Sequence, residues 1–392
     1  MEDRNDKYPK NKKGQRSINN SMNKSDQVVV EKGIENIALK LIDQIFEEKE
    51  NRMISPFSIY VIISMILPGA DGRTKQEILD VLGLKNQSLK RIYSFQKTLL
   101  SRLQTETKND VDINIANSLW VHEKITLNHK YVQSIKRNFD GTVENINNAA
   151  TINKWVDNKT KGKITHILDE MNSNVILYLI NAIYFYGEWH NPFQRELTVD
   201  GKFYKKNDIS VKVPFMRKRD NFLYSNMDDY EIIRLYYKGK SFYMEIILPK
   251  EGTTLLDLIK KLEESRENWQ SPTEQKYGVI ELPKFSVLTD MKLNDALNSV
   301  GLKQLFNPEK ADLSGLSEHE LNGIYVDEFK HKAVISLDEE GTEASGVSSV
   351  EVREGNPLEE QFNMNINRPF IFQIYHEKTN IIVFCGFVND PS

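Results

Sequence analysis

The sequence predicts an α+β fold, on three observations. Apolar residues recur at helical spacing early in the chain, as in Ile34, Ile37, Ala38, Leu41, Ile42, Ile45 and Phe46. The run Val175-Ile176-Leu177-Tyr178-Leu179-Ile180, continuing through Asn181 to Phe185, is nearly all apolar and rich in β-branched and aromatic residues, as a strand buried on both faces requires. The chain closes on two more apolar segments, 370–375 and 381–388, joined by the polar turn Glu377-Lys378-Thr379-Asn380. Helices and strands mix without strict alternation, which sets the chain apart from α/β folds.

Residues 1–26 are rich in Asn, Lys, Ser and Asp and nearly free of apolar side chains, so they are expected to form a polar, disordered tail. Within it, the basic stretch Lys7-Tyr8-Pro9-Lys10-Asn11-Lys12-Lys13 reads as solvated. Residues 27–392 show no repeat and no linker and are expected to be one domain. After the first helix, Ser55-Pro56-Phe57-Ser58-Ile59 leads an apolar run to Pro68-Gly69. Thr74 with Glu77 three residues on has the form of a helix N-cap, and Gly83 of a stop. Leu89, Ile92, Leu99 and Leu103 mark an amphipathic helix, and the pattern turns to strand over 113–121. Residues 151–168 read as a helix with Trp155 facing inward, and strands are expected over 242–248, 279–282 and 324–337.

A chain of 392 residues with 39% hydrophobic content can bury a large core. A net charge of −4 gives no reason to expect a nucleic-acid partner. No stretch of about eighteen apolar residues occurs, so no membrane span is expected. The single cysteine, Cys385, cannot form an internal disulfide and lies in the apolar run Ile381 to Val388, as a core residue would. With no apolar leader near the N-terminus, a cytoplasmic location is expected over an extracellular one. The acceptor patterns at Asn19, Asn23, Asn86 and Asn158 would matter only in a secreted chain. His-Glu-x-x-His, Gly-x-Ser-x-Gly, a phosphate-cradling loop and paired metal ligands are all missing from the sequence. No catalytic residue, metal or other cofactor is therefore expected.

Residues 339–361 break the quiet pattern. They form a connection of some twenty residues between a strong strand and the C-terminal strand pair, and such connections are usually functional or disordered. Thr342, Ala344, Gly346, Ser348, Val350 and Val352 are all small or apolar. The alternate positions Glu343, Ser345, Val347, Ser349, Glu351 and Arg353 are mostly polar. Composition says loop, while the period of two says a strand buried on one side. Both hold if the segment is exposed in one state and inserted in another; a plain surface loop is the simpler alternative.

Several motifs, in order, resemble the serpin family from about residue 27 to the C-terminus. Ser55-Pro56-x-Ser58-Ile59 and Gly69-Ala70-x-Gly72-x-Thr74 look like its early block. Ile152-Asn153-x-Trp155-Val156 with Thr160-x-Gly162-Lys163-Ile164 is similar to the helix that crosses the family's main sheet. Asn181-Ala182-Ile183-Tyr184-Phe185-x-Gly187-x-Trp189, Leu282-Pro283-Lys284-Phe285, Ala311-Asp312-Leu313-Ser314-Gly315, His331-Lys332-Ala333 and Met364 to Ile374 match as well. Tyr186 stands where a lysine is common.

The resemblance implies three β-sheets, about nine helices and an exposed reactive-centre loop at about 339–361. It implies a monomeric inhibitor whose partner is a target serine or cysteine protease, trapped when the cut loop enters the central sheet. The hinge would be Glu339, Glu340, Gly341, Thr342, Glu343, Ala344, Ser345 and Gly346, whose small residues suit fast insertion, although Val347 is larger than usual at its place. Ser55, Ser58, Asn181 and His331 would form a hydrogen-bonded cluster where the sheet opens, with Trp189 at its top. The family's count places the scissile bond at Gly355-Asn356, with Arg353 and Glu354 as alternatives preceding the cut. A non-inhibitory carrier, storage or chaperone role on the same scaffold is the competing expectation. Lys85, Lys90, Arg91, Lys97 and Arg102 surround one helix and read as a solvated face in preference to a polyanion site.

Overall fold

The computed structural model describes residues 24–106, 111–146, 148–171, 175–206, 209–264, 271–319, 323–342 and 359–392. Eight α-helices occur among them: α1 (Lys24–Gln44), α2 (Pro56–Ile66), α3 (Gly72–Val81), α4 (Leu89–Glu106), α5 (His129–Phe139), α6 (Ala149–Lys159), α7 (Leu255–Glu264) and α8 (Asn294–Ser299). The strands are β1 (Arg52–Ile54), β2 (Val111–Val121), β3 (Thr142–Asn145), β4 (Leu177–Glu188), β5 (Val199–Tyr204), β6 (Ser210–Asn226), β7 (Tyr230–Tyr236), β8 (Phe242–Pro249), β9 (Gln275–Pro283), β10 (Phe285–Lys292), β11 (Glu328–Leu337), β12 (Gly341–Thr342), β13 (Phe362–Asn365), β14 (Phe370–His376) and β15 (Ile381–Val388).

The strands join into two hydrogen-bonded sheets. One has six strands in the order β10-β11-β12-β4-β2-β3. The other has nine: β1-β15-β14-β8-β7-β6-β9-β13, with β5 also on β6. The expected second and third sheets are continuous here because β6 is long enough to serve both. Its first residues pair with β5, its middle with β9 and its last four with β7.

Core placement follows side-chain parity. On β4, Tyr178, Ile180 and Ala182 pack with Trp120, Ile152 and Val156 in a small core beneath α6. Leu177, Leu179, Ile183 and Phe185 point to the main core on the other side. A strand covered on both faces needs apolar residues at every position, which explains the run seen in the sequence. Helix α2 is buried all round and is set by Ser55, whose Oγ accepts from Ser58 N at 3.2 Å, with Pro56 in its first turn.

Several elements depart from expectation. The first helix begins at Lys24, inside the segment read as tail, and Asp26 is buried against Arg91 at 2.7 Å. Helix α3 begins two residues before Thr74, which is buried and accepts from Asp312 N at 2.9 Å instead of capping. Helix α6 ends at Lys159, well short of 168, because Lys161 and Gly162 take positive φ of 54° and 81° and turn the chain back. Asn153 holds the returning segment, accepting from Ile167 N and Leu168 N at 2.9 and 3.0 Å. Trp155 is half-buried, edge-on to Trp120. Cys385 is buried in β15, as expected.

Candidate functional site: the seam between β4 and β11

Strands β4 and β11 run parallel and pair from Tyr178↔Glu328 to Tyr184↔Val334. Above that they part, and the two residues of β12 sit between them. Thr342 pairs antiparallel with Leu337 on one side and Gly187 on the other, and Gly341 with Glu188. The mouth of the sheet is thus held open by the first two residues of a third strand.

That start is firmly anchored. Thr342 is fully buried, and its Oγ1 lies 2.9 Å from the Tyr237 hydroxyl. Tyr237 stacks on Trp189 with ring centroids 4.7 Å apart. Trp189 donates from Nε1 to Asp338 O at 3.1 Å and from its backbone N to Glu340 O at 2.7 Å. Asp338 Oδ1 in turn accepts from the Glu340 and Gly341 amides. Only glycine fits at 341: its φ is +154°, and a Cβ there would lie 2.1 Å from Gly187 O.

Ion pairs close the top. Glu339 is buried, 2.7 Å from both Lys284 Nζ and Thr198 Oγ1. Burial alone would raise its carboxyl pKa, but the hydrogen bonds from Lys284 and Thr198 outweigh that and hold it below the usual range. Glu340 is paired with Arg195. Burial pushes the Asp338 carboxyl up.

Six residues down β4, about 20 Å along the strand, lies a second polar cluster. Asn117, Asn181 and His331 stand side by side on β2, β4 and β11, in direct register. Asn181 Nδ2 donates to Ser58 Oγ and Asn117 Oδ1, both at 2.5 Å. Ser58 Oγ donates to Asn117 Oδ1 at 3.2 Å, and Ser55 Oγ to Val383 O at 2.7 Å. His331 Nδ1 lies 2.5 Å from Asn181 Oδ1. An amide oxygen only accepts, so the network assigns the proton to Nδ1. Nε2 then carries a lone pair and has no hydrogen-bond partner among the described residues. Burial pushes the His331 pKa down to about 3, against weaker opposing effects of Asp290 and the Met53 backbone. The imidazole is neutral at neutral pH, and it clamps β11 to β4 through one hydrogen bond.

The structure therefore brings Ser55, Ser58, Asn181 and His331 together, and gathers Glu339, Glu340, Gly341, Thr342 and Trp189 at the mouth. Glu343, Ala344, Ser345, Gly346, Arg353, Glu354, Gly355 and Asn356 lie outside the described residues. Sequence reasoning missed Asn117, Tyr237, Arg195 and Thr198. It quoted Lys284 within a motif but gave it no role. Of the basic residues near α4, Lys85 pairs with Asp80 and Arg91 with Asp26.

At the centre of the six-stranded sheet, β4 and β11 part at one end around the two residues of β12. The family model described as Serpin (serine protease inhibitor) matches residues 32–391, and the chain belongs to the serpin family. Human Serpin B3 is 31% identical over 381 residues, covering 90% of this chain and 96% of that protein. Leukocyte elastase inhibitor of Xenopus tropicalis is 33% identical over 358 residues, covering 87% and 93%. Among solved structures, the thermophilic serpin Tengpin in its native state superposes with a TM-score of 0.83 at 27% identity, covering 93% of this chain and 94% of that one.

Proposed function

We propose that this chain inhibits a serine or cysteine protease as a suicide substrate, with residues 339–361 as bait. The observation that carries this reading is the two-residue strand β12, which runs antiparallel to both β11 and β4 at the point where they part. Continuing its register downward sets each later residue against a named pair. Ala344 would face Phe185 and Ile335, Gly346 would face Ile183 and Ala333, and Ser348 would come between Asn181 and His331. The even-numbered residues share the inward face of Thr342, and these are the small and apolar ones.

The chemistry belongs to the protease. Its hydroxyl or thiol attacks the carbonyl of the scissile bond, and the amide nitrogen leaves with a proton as a new amino terminus. The residue before the cut stays bound to the protease as an ester or thioester. The freed loop then zips between β4 and β11, replacing one parallel pairing with two antiparallel ones. Val350 and Val352 add roughly 1.5–3 kcal/mol each on burial. The His331–Asn181 hydrogen bond must break on the way, and the Ser348 hydroxyl arrives where it can rejoin both partners.

The scissile bond is proposed at Gly355-Asn356, with cuts after Arg353 or Glu354 as alternatives. Incubation with a panel of serine and cysteine proteases tests the reading. An adduct that survives denaturing electrophoresis is expected, with a small C-terminal fragment whose mass locates the cut. Clean cleavage by every protease without an adduct would refute inhibition and favour the non-inhibitory role.

A further inference from the structure

A cleft of about 120 Å³ opens behind the mouth of the six-stranded sheet, between the segment from Trp189 to Phe193 and strands β6, β7 and β9. A water takes up about 30 Å³ of liquid. The cleft is therefore larger than a single-water cavity and has room for one phosphate or carboxylate group. Its charged lining is lopsided: Lys218, Arg234 and Lys240, with His190, face a single carboxylate, Asp220.

Arg234 is already neutralised, since Glu245 and Glu377 pair with it from just outside the cleft, so the excess rests on Lys218 and Lys240 against Asp220. Arg234 is held by Glu245, with bonds of 2.7 and 3.1 Å. Asp220 already accepts from Asn191 Nδ2 at 2.9 Å and from the Asn221 amide at 2.8 Å, and stands 3.6 Å from Lys218 Nζ. The Lys218 ammonium donates to Asn191 O. It has three N–H bonds and can satisfy a further acceptor. Its side chain is mostly enclosed, with Nζ 5.6 and 5.9 Å from the ring centres of Phe193 and Phe222. Lys240 lies 5.8 Å from the Tyr236 ring centre and forms no ion pair among the described residues. Burial lowers the Lys218 pKa to about 8, with Asp220 opposing. His190 is lowered by burial and then by Lys240 and Lys218, with Asp220 opposing.

We infer that this cleft is an anion site, taking one phosphate or carboxylate group between Lys218 and Lys240. One wall is Trp189, which also bonds Asp338 at the sheet mouth, so an occupant would touch the back of the residues that hold the seam open. Nothing in this assignment depends on protease inhibition.

Equilibrium dialysis of the full chain against radiolabelled inorganic phosphate, with ionic strength held constant by chloride, tests it. Saturable binding of one phosphate per chain is expected, displaced by unlabelled phosphate and more weakly by acetate. Lys240→Gln, at an exposed position, should weaken binding about fivefold, the size expected for one exposed charge. Lys218→Gln combined with Lys240→Gln should abolish it; if that double variant does not fold, Lys240→Gln alone decides. A short phosphoserine peptide that competes better than free phosphate would assign the site to an acidic segment of a partner, and equal or weaker competition to a free ion. No phosphate bound above the chloride background, or equal binding by wild type and Lys240→Gln, would overturn the proposal.

Discussion

Thr342→Arg places a guanidinium where the structure has a fully buried hydroxyl bonded to Tyr237. The neighbouring ring is Trp189, stacked on Tyr237, and the strand partners are Leu337 and Gly187. No carboxylate faces that position among the groups that hold it. An unpaired buried charge costs at least about 3 kcal/mol, and each 1.4 kcal/mol in a barrier slows a step tenfold. Loop entry should therefore slow by a hundredfold or more. Before cleavage the arginine is accommodated simply by β12 leaving the mouth, so the uncut protein should still fold. The same protease incubated with wild type and variant, compared on denaturing gels and by moles of inhibitor consumed per protease, reads the outcome. Wild type should give adduct, and the variant cleaved product with released, active protease. Undiminished adduct from a folded Thr342→Arg protein would refute the part assigned to the hinge.

Other consequences follow from the same geometry. His331 has a folded pKa near 3 against about 6.5 in an unfolded chain. The unfolded state thus binds more protons between these values, and the contribution is full above pH 6.5 and lost as pH falls below it. Between pH 6.5 and 5 the loss should reach about 2 kcal/mol, and His331→Gln should flatten the fall in melting temperature over that window; an equal slope in both proteins would contradict the neutral clamp. Lys284→Met leaves the Glu339 carboxylate without its cation. It should lower stability by about 1–3 kcal/mol, read by thermal melting, and an unchanged melt would show that the pair is idle. Gly341→Ala cannot hold β12 in place because its Cβ would strike Gly187 O. It should speed limited proteolysis of the chain around residue 342, and unchanged digestion would count against the wedge.

How much of this was legible in the sequence depended on whether one physical signal dominated. Strand β4 was plain because both its faces are covered and every position is apolar. Strand β6 was not, since its buried side switches at the adjacent buried pair Phe215 and Met216, and no single period runs through it. The end of α6 was marked by Gly162, but the apolar residues Ile164, Ile167 and Leu168 kept the pattern looking helical while packing from a returning loop. At the site, Ser55, Ser58, Asn181 and His331 were placed together by family resemblance, because only strand register shows that Asn181 and His331 are neighbours. Asn117 gave no signal: a lone asparagine on a strand looks solvent-facing until its pairing with Asn181 is known. The ties of Glu339 to Lys284 and of Glu340 to Arg195 join residues more than fifty positions apart and depend on the assembled mouth. The period of two beyond Gly341 was visible from the start, and the structure shows its first position, Thr342, as strand.

A crystal structure of the protein after cleavage within 350–356 addresses the central claim most directly. Adjacent strands lie about 4.8 Å apart, so an inserted strand should roughly double the separation of Asn181 from His331 and set Ser348 between them. If β4 and β11 remain paired from Tyr178 to Tyr184, with the cut segment outside the sheet, the seam is not an acceptor and the proposed mechanism is wrong.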